Sequence, residues 1–198
     1  MIKIAITGDI GAGKSHIAKM FHFPVFDADL EVRKIYKDNK KCFKKLNKKL
    51  PKFILSFPIK KKEISKAILF NQNNLSKIIK IVHPIVRLKL NKFFFANKKK
   101  KAVVLDIPLL LENNLSKKSY ILIHIDANKS EIINRLKKRK NFNIKIYKKL
   151  KKFQLPIEFK KKKSHFLIKN NFKNSSVRKN VKIIKNKILN NERNSLRY

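Results

Sequence analysis

Residues 2–15, Ile2-Lys3-Ile4-Ala5-Ile6-Thr7 followed by Gly8-Asp9-Ile10-Gly11-Ala12-Gly13-Lys14-Ser15, decide the fold. The first six are a short apolar run with β-branched residues and read as a buried strand. The next eight satisfy G-x-x-x-x-G-K-[ST]. Ser15 to Phe21 then reads as a helix. Strand, glycine loop and helix in that order are the context the motif requires. Backbone N–H groups that turn inward around phosphate oxygens need conformations that glycine tolerates, and a helix start aims its positive dipole end at the anion. The pattern assigns Lys14 to the β- and γ-phosphates and the Ser15 hydroxyl to Mg²⁺. The chain has only three glycines, and all lie in this loop. A chance glycine turn is therefore a poor account of them.

Outward from the loop, short apolar strands alternate with helical spacing. Strands are expected at 24–27, 102–107, 120–126 and 165–169. Helical patterns occupy 30–37, 40–50, 63–70, 74–82, 84–96, 130–140, 144–153 and 176–190, with Pro51, Pro58 and Pro84 as punctuation. Such alternation implies a parallel sheet covered on both faces. The helical stretch after the second strand is too long for a simple crossover and reads as an inserted helical subdomain.

Only 12 of the 198 residues are acidic, which narrows the search for catalytic carboxylates. Asp27 and Asp29 follow the second strand, and ligands of open α/β sheets sit beyond the carboxyl ends of the strands. An acid there can accept the proton of an attacking hydroxyl or help order Mg²⁺; it can equally be an N-cap or first-turn acid of the next helix. Val103-Val104-Leu105-Asp106 resembles a Walker B strand, whose carboxylate orders Mg²⁺, although an acid at a strand end is common. His83-Pro84 interrupts helical spacing and marks a rigid bend, with a satisfied histidine as the ordinary alternative. Arg135 and Arg139, four apart on an expected helix, share one face. Arginine supplies the planar, bidentate phosphate contact that lysine cannot; a solvated charged face is the alternative.

The 52 basic residues leave a formal net charge of +40. A nucleic-acid or anionic-membrane partner is one reading. The lysines are spread along the chain, however, and lysine, asparagine and isoleucine all have A/T-rich codons, so compositional drift is the preferred reading. Non-specific polyanion binding is expected in either case. Apolar residues make up 43% of the chain, enough for a core. A single cysteine, Cys42, excludes an internal disulfide and a zinc-ligand pattern. A signal peptide and a membrane-spanning run are not evident, and the expectation is a cytoplasmic monomer.

Taken together, these segments resemble the dephospho-CoA kinase family. AITGDIGAGKS at 5–15 resembles its phosphate loop, VFDAD at 25–29 its Asp-x-Asp element, and IVHPIVR at 81–87 its His-Pro segment. LDIPLLLEN at 105–113 is similar to its Pro-Leu-Leu-x-Glu segment, the most distinctive of the set. Gln154 and Ile168-x-Asn170 resemble its C-terminal signature. The resemblance implies a P-loop NTPase core of nucleoside-monophosphate-kinase type with a five-stranded parallel sheet. Residues 1–29, 97–138 and 166–198 would form the nucleotide-binding core, 30–96 a helical acceptor-side insertion, and 139–165 a lid. It implies phosphorylation of the ribose 3′-hydroxyl of dephospho-CoA by ATP with Mg²⁺. Asp29 would be the general base, and Lys14 and Arg139 would stabilise the transferring phosphoryl group. Gly8, Gly11, Ala12, Gly13, Lys14, Ser15, His16, Arg135, Arg139 and Asn170 would contact ATP. Asp29, His83, Arg87, Pro108 and Leu109 would contact the acceptor, and Ser15 and Asp106 would serve the metal.

The sequence departs from the family pattern at Asp9 and Phe172, where glycine is usual, at His16, where threonine is usual, and at His165, where an acid is usual. A different small-metabolite or nucleotide kinase on the same fold is the second reading. A basic nucleic-acid-binding module ranks third, because it leaves Lys14, Asp29 and Asp106 unexplained; no specific nucleic-acid or membrane partner is expected.

Overall fold

The computed structural model describes residues 1–108, 110–112, 119–140 and 142–195, with the backbone alone at 72 and 191–195. In chain order the elements are β1 (Ile2–Gly8), α1 (Lys14–Met20), β2 (Val25–Asp27), α2 (Ala28–Asp38), α3 (Lys40–Lys49), α4 (Lys61–Phe70), α5 (Gln72–Ala96), β3 (Ala102–Asp106), β4 (Tyr120–Ala127), α6 (Lys129–Lys137), α7 (Ile144–Lys152), α8 (Ile157–Lys163), β5 (Phe166–Asn170) and α9 (Asn174–Ser195). The chain divides into two compact units. The first comprises Met1–Phe26, Lys99–Phe142 and Gln154–Tyr198; the second comprises Asp27–Lys98 and Asn143–Phe153.

The first unit is built on a five-stranded sheet of order β2-β3-β1-β4-β5. Strand β1 runs parallel to both β3 and β4, and β4 runs parallel to β5. Ile4, Ala5 and Ile6 of β1 are fully buried, as are Ala102 to Leu105 of β3. Strands covered on both faces need such unbroken apolar runs rather than an alternating pattern. Burying each of these isoleucines contributes roughly 1.5–3 kcal/mol. Strand β5 lies at the sheet edge and alternates instead: Ile168 and Asn170 are buried while Leu167 and Lys169 are exposed. Helix α1 packs on β1, β3 and α9, α9 packs on β5, and α8 packs on β1 and β4.

The second unit is helical and organised by α5, which contacts α2, α3 and α4, while α7 packs on α4. Leu75, Ile78, Val82, Val86 and Leu90 of α5 are all buried. Their spacings of three and four residues form one apolar stripe. The stripe runs unbroken past Pro84, and the sequence expectation of a break there is corrected: the proline lies inside α5. It occupies the exposed face, as does Lys80. The carbonyl left without its donor therefore reaches water, and burial on the other face holds the helix through the fault.

Two further expectations change. Helix α8 was not anticipated, because its IEFKKKK run carries no helical apolar repeat. Helix α6 ends at Lys137, so Arg139 lies beyond the C-cap residue Lys138 and not on the helix. Leu136 is the last buried residue before the run Lys137-Lys138-Arg139-Lys140, which offers nothing for a further turn to bury. Of the segment 139–165 expected as a lid, 143–153 belongs to the second unit and the remainder to the first, and Asp29 belongs to the second unit.

No helix among the described residues is long and apolar enough to cross a membrane.

Candidate active site

The glycine loop joins β1 to α1 with Gly8, Gly11 and Gly13 at φ 144, 89 and 89. Ala12 N–H donates to the Asp9 carbonyl at 3.1 Å and closes the turn. Gly13 is the N-cap of α1 and has no side chain to cap it, so the orphan amides of the first turn stay available to an anion.

Two positions show why side chains are excluded. A Cβ on Gly11 would stand 2.9 Å from Ile132 Cγ2 and 3.0 Å from Leu136, both on α6. A Cβ on Gly13 would stand 2.6 Å from Asn170 Nδ2. That Asn170 amide donates to the Ala12 carbonyl at 2.8 Å, and its Oδ1 accepts from Phe172 N–H at 2.9 Å. Asn170 thus pins the loop from the end of β5. Gly13→Ala combines a left-handed φ with this collision. Its melting temperature is expected to fall by about 2–8 °C, and its affinity for Mg·ATP at least about tenfold. Calorimetric titration showing wild-type affinity would remove the loop from the binding site.

Lys14 Nζ donates to the carbonyls of Gly8 and Asp9 at 3.0 and 2.8 Å. Its ammonium is therefore held over the loop, half-buried, rather than swinging into solvent. Ser15 is exposed in the first turn of α1, and His16 Nε2 pairs with Asn174 Oδ1 at 2.9 Å. Asp106 ends β3 and is buried, with 3% of its surface exposed. Arg135 lies with its guanidinium 4.4 Å from the Phe172 ring centre, a stacked cation rather than a freely solvated one. Arg139 is exposed. Pro108 is exposed just beyond β3, and Leu109 lies outside the described residues.

In the second unit, Asp27 is the N-cap of α2, its Oδ1 accepting from Leu30 N–H at 2.8 Å. The capping alternative therefore holds for Asp27. Asp29 sits in the first turn of the same helix. His83 and Arg87 are one turn apart on α5. Burial, then the Arg87 charge, lowers the His83 pKa below its ordinary value, so its imidazole is neutral at pH 7.

A buried charged cluster beside the loop was not legible in the sequence. Lys160 Nζ lies 3.6 Å from Asp9 Oδ1 and 3.6 Å from Glu112 Oε1. Glu112 also accepts from Leu155 N–H at 3.1 Å. Lys160 is the second residue in a run of five, Phe159 to Lys163, of which four are lysines. Nothing in that run separates it from its solvated neighbours until α8 turns it inward. Nearby, Thr7 Oγ1 and His124 Nδ1 are 3.2 Å apart. Burial, with the Lys160 charge, pushes the His124 pKa down to about 4.

Oxygen donors at Ser15 and Asp106 suit a hard divalent cation that keeps water and phosphate oxygens as its other ligands. Among the described residues no group of three or more His, Cys, Asp or Glu forms a dedicated metal cage.

The family profile for dephospho-CoA kinase matches residues 2–176. A dephospho-CoA kinase of the Wolbachia strain from Brugia malayi is 36% identical over 141 residues, covering 69% of this chain and 72% of the relative. That of Bacillus anthracis is 30% identical over 145 residues, covering 70% and 72%. Among solved structures, a Thermus thermophilus protein superposes with a TM-score of 0.74 at 24% identity over 92% of this chain and 95% of that one. The dephospho-CoA kinase of Campylobacter jejuni superposes at 0.61, also at 24% identity, over 94% and 96%. These two likenesses speak to the fold.

Proposed function

The chain belongs to the dephospho-CoA kinase family, and from that membership we infer that it transfers the γ-phosphoryl group of ATP to the ribose 3′-hydroxyl of dephospho-CoA, releasing ADP and CoA. The observation that carries this reading is the glycine loop itself. Its three positive-φ glycines, the Asn170 clamp and the tethered Lys14 form a cradle suited to phosphate oxygens.

In this reading the loop amides and the start of α1 bind the triphosphate. Lys14 neutralises charge on the β- and γ-oxygens, and Arg139 approaches the transferring group from beyond α6. His16, Arg135 and Asn170 complete the nucleotide side. Ser15 and Asp106 would hold Mg²⁺, which when bound offsets charge on the phosphate oxygens. Asp29 takes the proton of the 3′-hydroxyl; its support is the VFDAD resemblance and its place in the first turn after β2. His83, Arg87, Pro108 and Leu109 belong to the acceptor side. A cytoplasmic monomer follows from the same assignment.

A coupled ADP-release assay tests the substrate. With dephospho-CoA, AMP, CMP and shikimate offered in parallel, dephospho-CoA is expected to give kcat/KM at least about a hundredfold above the others, the discrimination a hydrogen-bonding acceptor site can supply. Preference for any of the other three would transfer the chain to a different acceptor class.

A further inference from the structure

Among the described residues, Lys160 is the only lysine or arginine buried to this degree, with 2% of its surface exposed. A chain with 52 basic residues has ample surface lysine, so this burial is specific to the position. Desolvating an ammonium is strongly unfavourable unless carboxylates surround it. Here there are two: Asp9 in the phosphate loop and Glu112 beyond β3, each 3.6 Å away. Among the described residues Lys160 Nζ has no hydrogen-bond partner, so its interaction with both is that of a buried charge. It also lines one narrow cavity with Gly8, Lys14 and Glu112.

Asp9 is the anomaly that this arrangement resolves. A carboxylate one residue from Gly8 opposes the binding of a triphosphate. Glu112 also accepts from Leu155 N–H beyond β3, and Asp9 stands in the loop itself. We propose that Lys160 is a positioning residue for the phosphate loop: its buried ammonium offsets the Asp9 carboxylate, so that the loop binds a triphosphate although it carries an acid. The proposal rests on the reading of this loop as the ATP site. It makes α8, which lies within the expected lid segment, a supplier of charge to a loop more than 140 residues earlier.

A mutant cycle read by calorimetric titration with Mg·ATP tests it, with thermal melting as the check on folding. K160M is expected to weaken binding at least about tenfold. D9N binds at least as tightly as the wild type. D9N/K160M returns to within about threefold of D9N, because the charge that Lys160 offsets is gone. An equal loss in both backgrounds, or none in K160M, overturns the proposal. If K160M does not fold, D9N against D9N/K160M decides alone. If the double variant fails to fold as well, the proposal also falls, since Asp9 is then not what Lys160 offsets. Wild-type protein that takes up no Mg·ATP refutes the kinase reading and this proposal together; wild-type binding without coupling refutes this proposal only.

Discussion

Lys14→Ala retains its fold and loses about three orders of magnitude in kcat/KM with dephospho-CoA. The side chain is half-buried and lies against loop carbonyls rather than in the apolar core, so truncation opens no cavity among Ile4, Ile6 and Ile17. What it removes is an ammonium held over the glycine cradle, which in the proposed reaction meets charge that grows on the transferring phosphoryl group. Of the two carbonyls that now accept from Nζ, that of half-buried Asp9 can be rehydrated and that of buried Gly8 loses a donor, a loss of about 1 kcal/mol. A melting curve within a few degrees of the wild type, together with ADP release reduced to near background, is the expected pair of results. Near-normal turnover would take Lys14 out of the mechanism.

Asp29→Asn loses about two to four orders of magnitude in kcat while KM for both substrates changes little. Asparagine occupies the same space in the first turn of α2, and the cap of that helix is Asp27, whose bond to Leu30 is untouched. The substitution therefore keeps the size and the cap while removing the negative charge and with it the ability to take a proton. A base lost in this way also flattens the acidic limb of the pH–rate profile, since the ionisation that shaped it is gone. Retained turnover would move the base elsewhere, and intact turnover with raised KM would make Asp29 a binding residue instead.

How much of the fold and the site is legible in the sequence depends on the kind of signal. The phosphate loop was readable because its chemistry forces residue types: no other residue tolerates φ 89 with α6 and Asn170 so close. Strands β1, β3 and β4 were readable because burial on both faces demands unbroken apolar runs. The segment 74–96 was half-readable. Its apolar spacing was correct, but Pro84 suggested a break that burial of Ile78, Val82, Val86 and Leu90 overrides. Arg139 was misplaced by one turn because spacing alone does not say where a helix runs out of apolar surface. Lys160 was invisible for a different reason. In a lysine-rich run, composition hides which ammonium turns inward, and only the packing of α8 on β1 and β4 singles it out.

Backbone with positive φ occurs at five described positions, and the chain has glycine at only three of them. At His22 and Phe172, with φ 55 and 58, a side chain sits where L-residues are uncomfortable, each at a cost of about 1 kcal/mol. Strain of that size was tolerable in two surface-side turns, yet the smallest residue persists wherever a Cβ would strike Ile125, Ile132 or Asn170. A sequence rich in lysine and isoleucine thus has its hydrogen-only side chains confined to the eight residues of the glycine loop. Mutational tolerance in this molecule should accordingly be steeply graded: broad across its cationic exterior, and close to nil within that single bend.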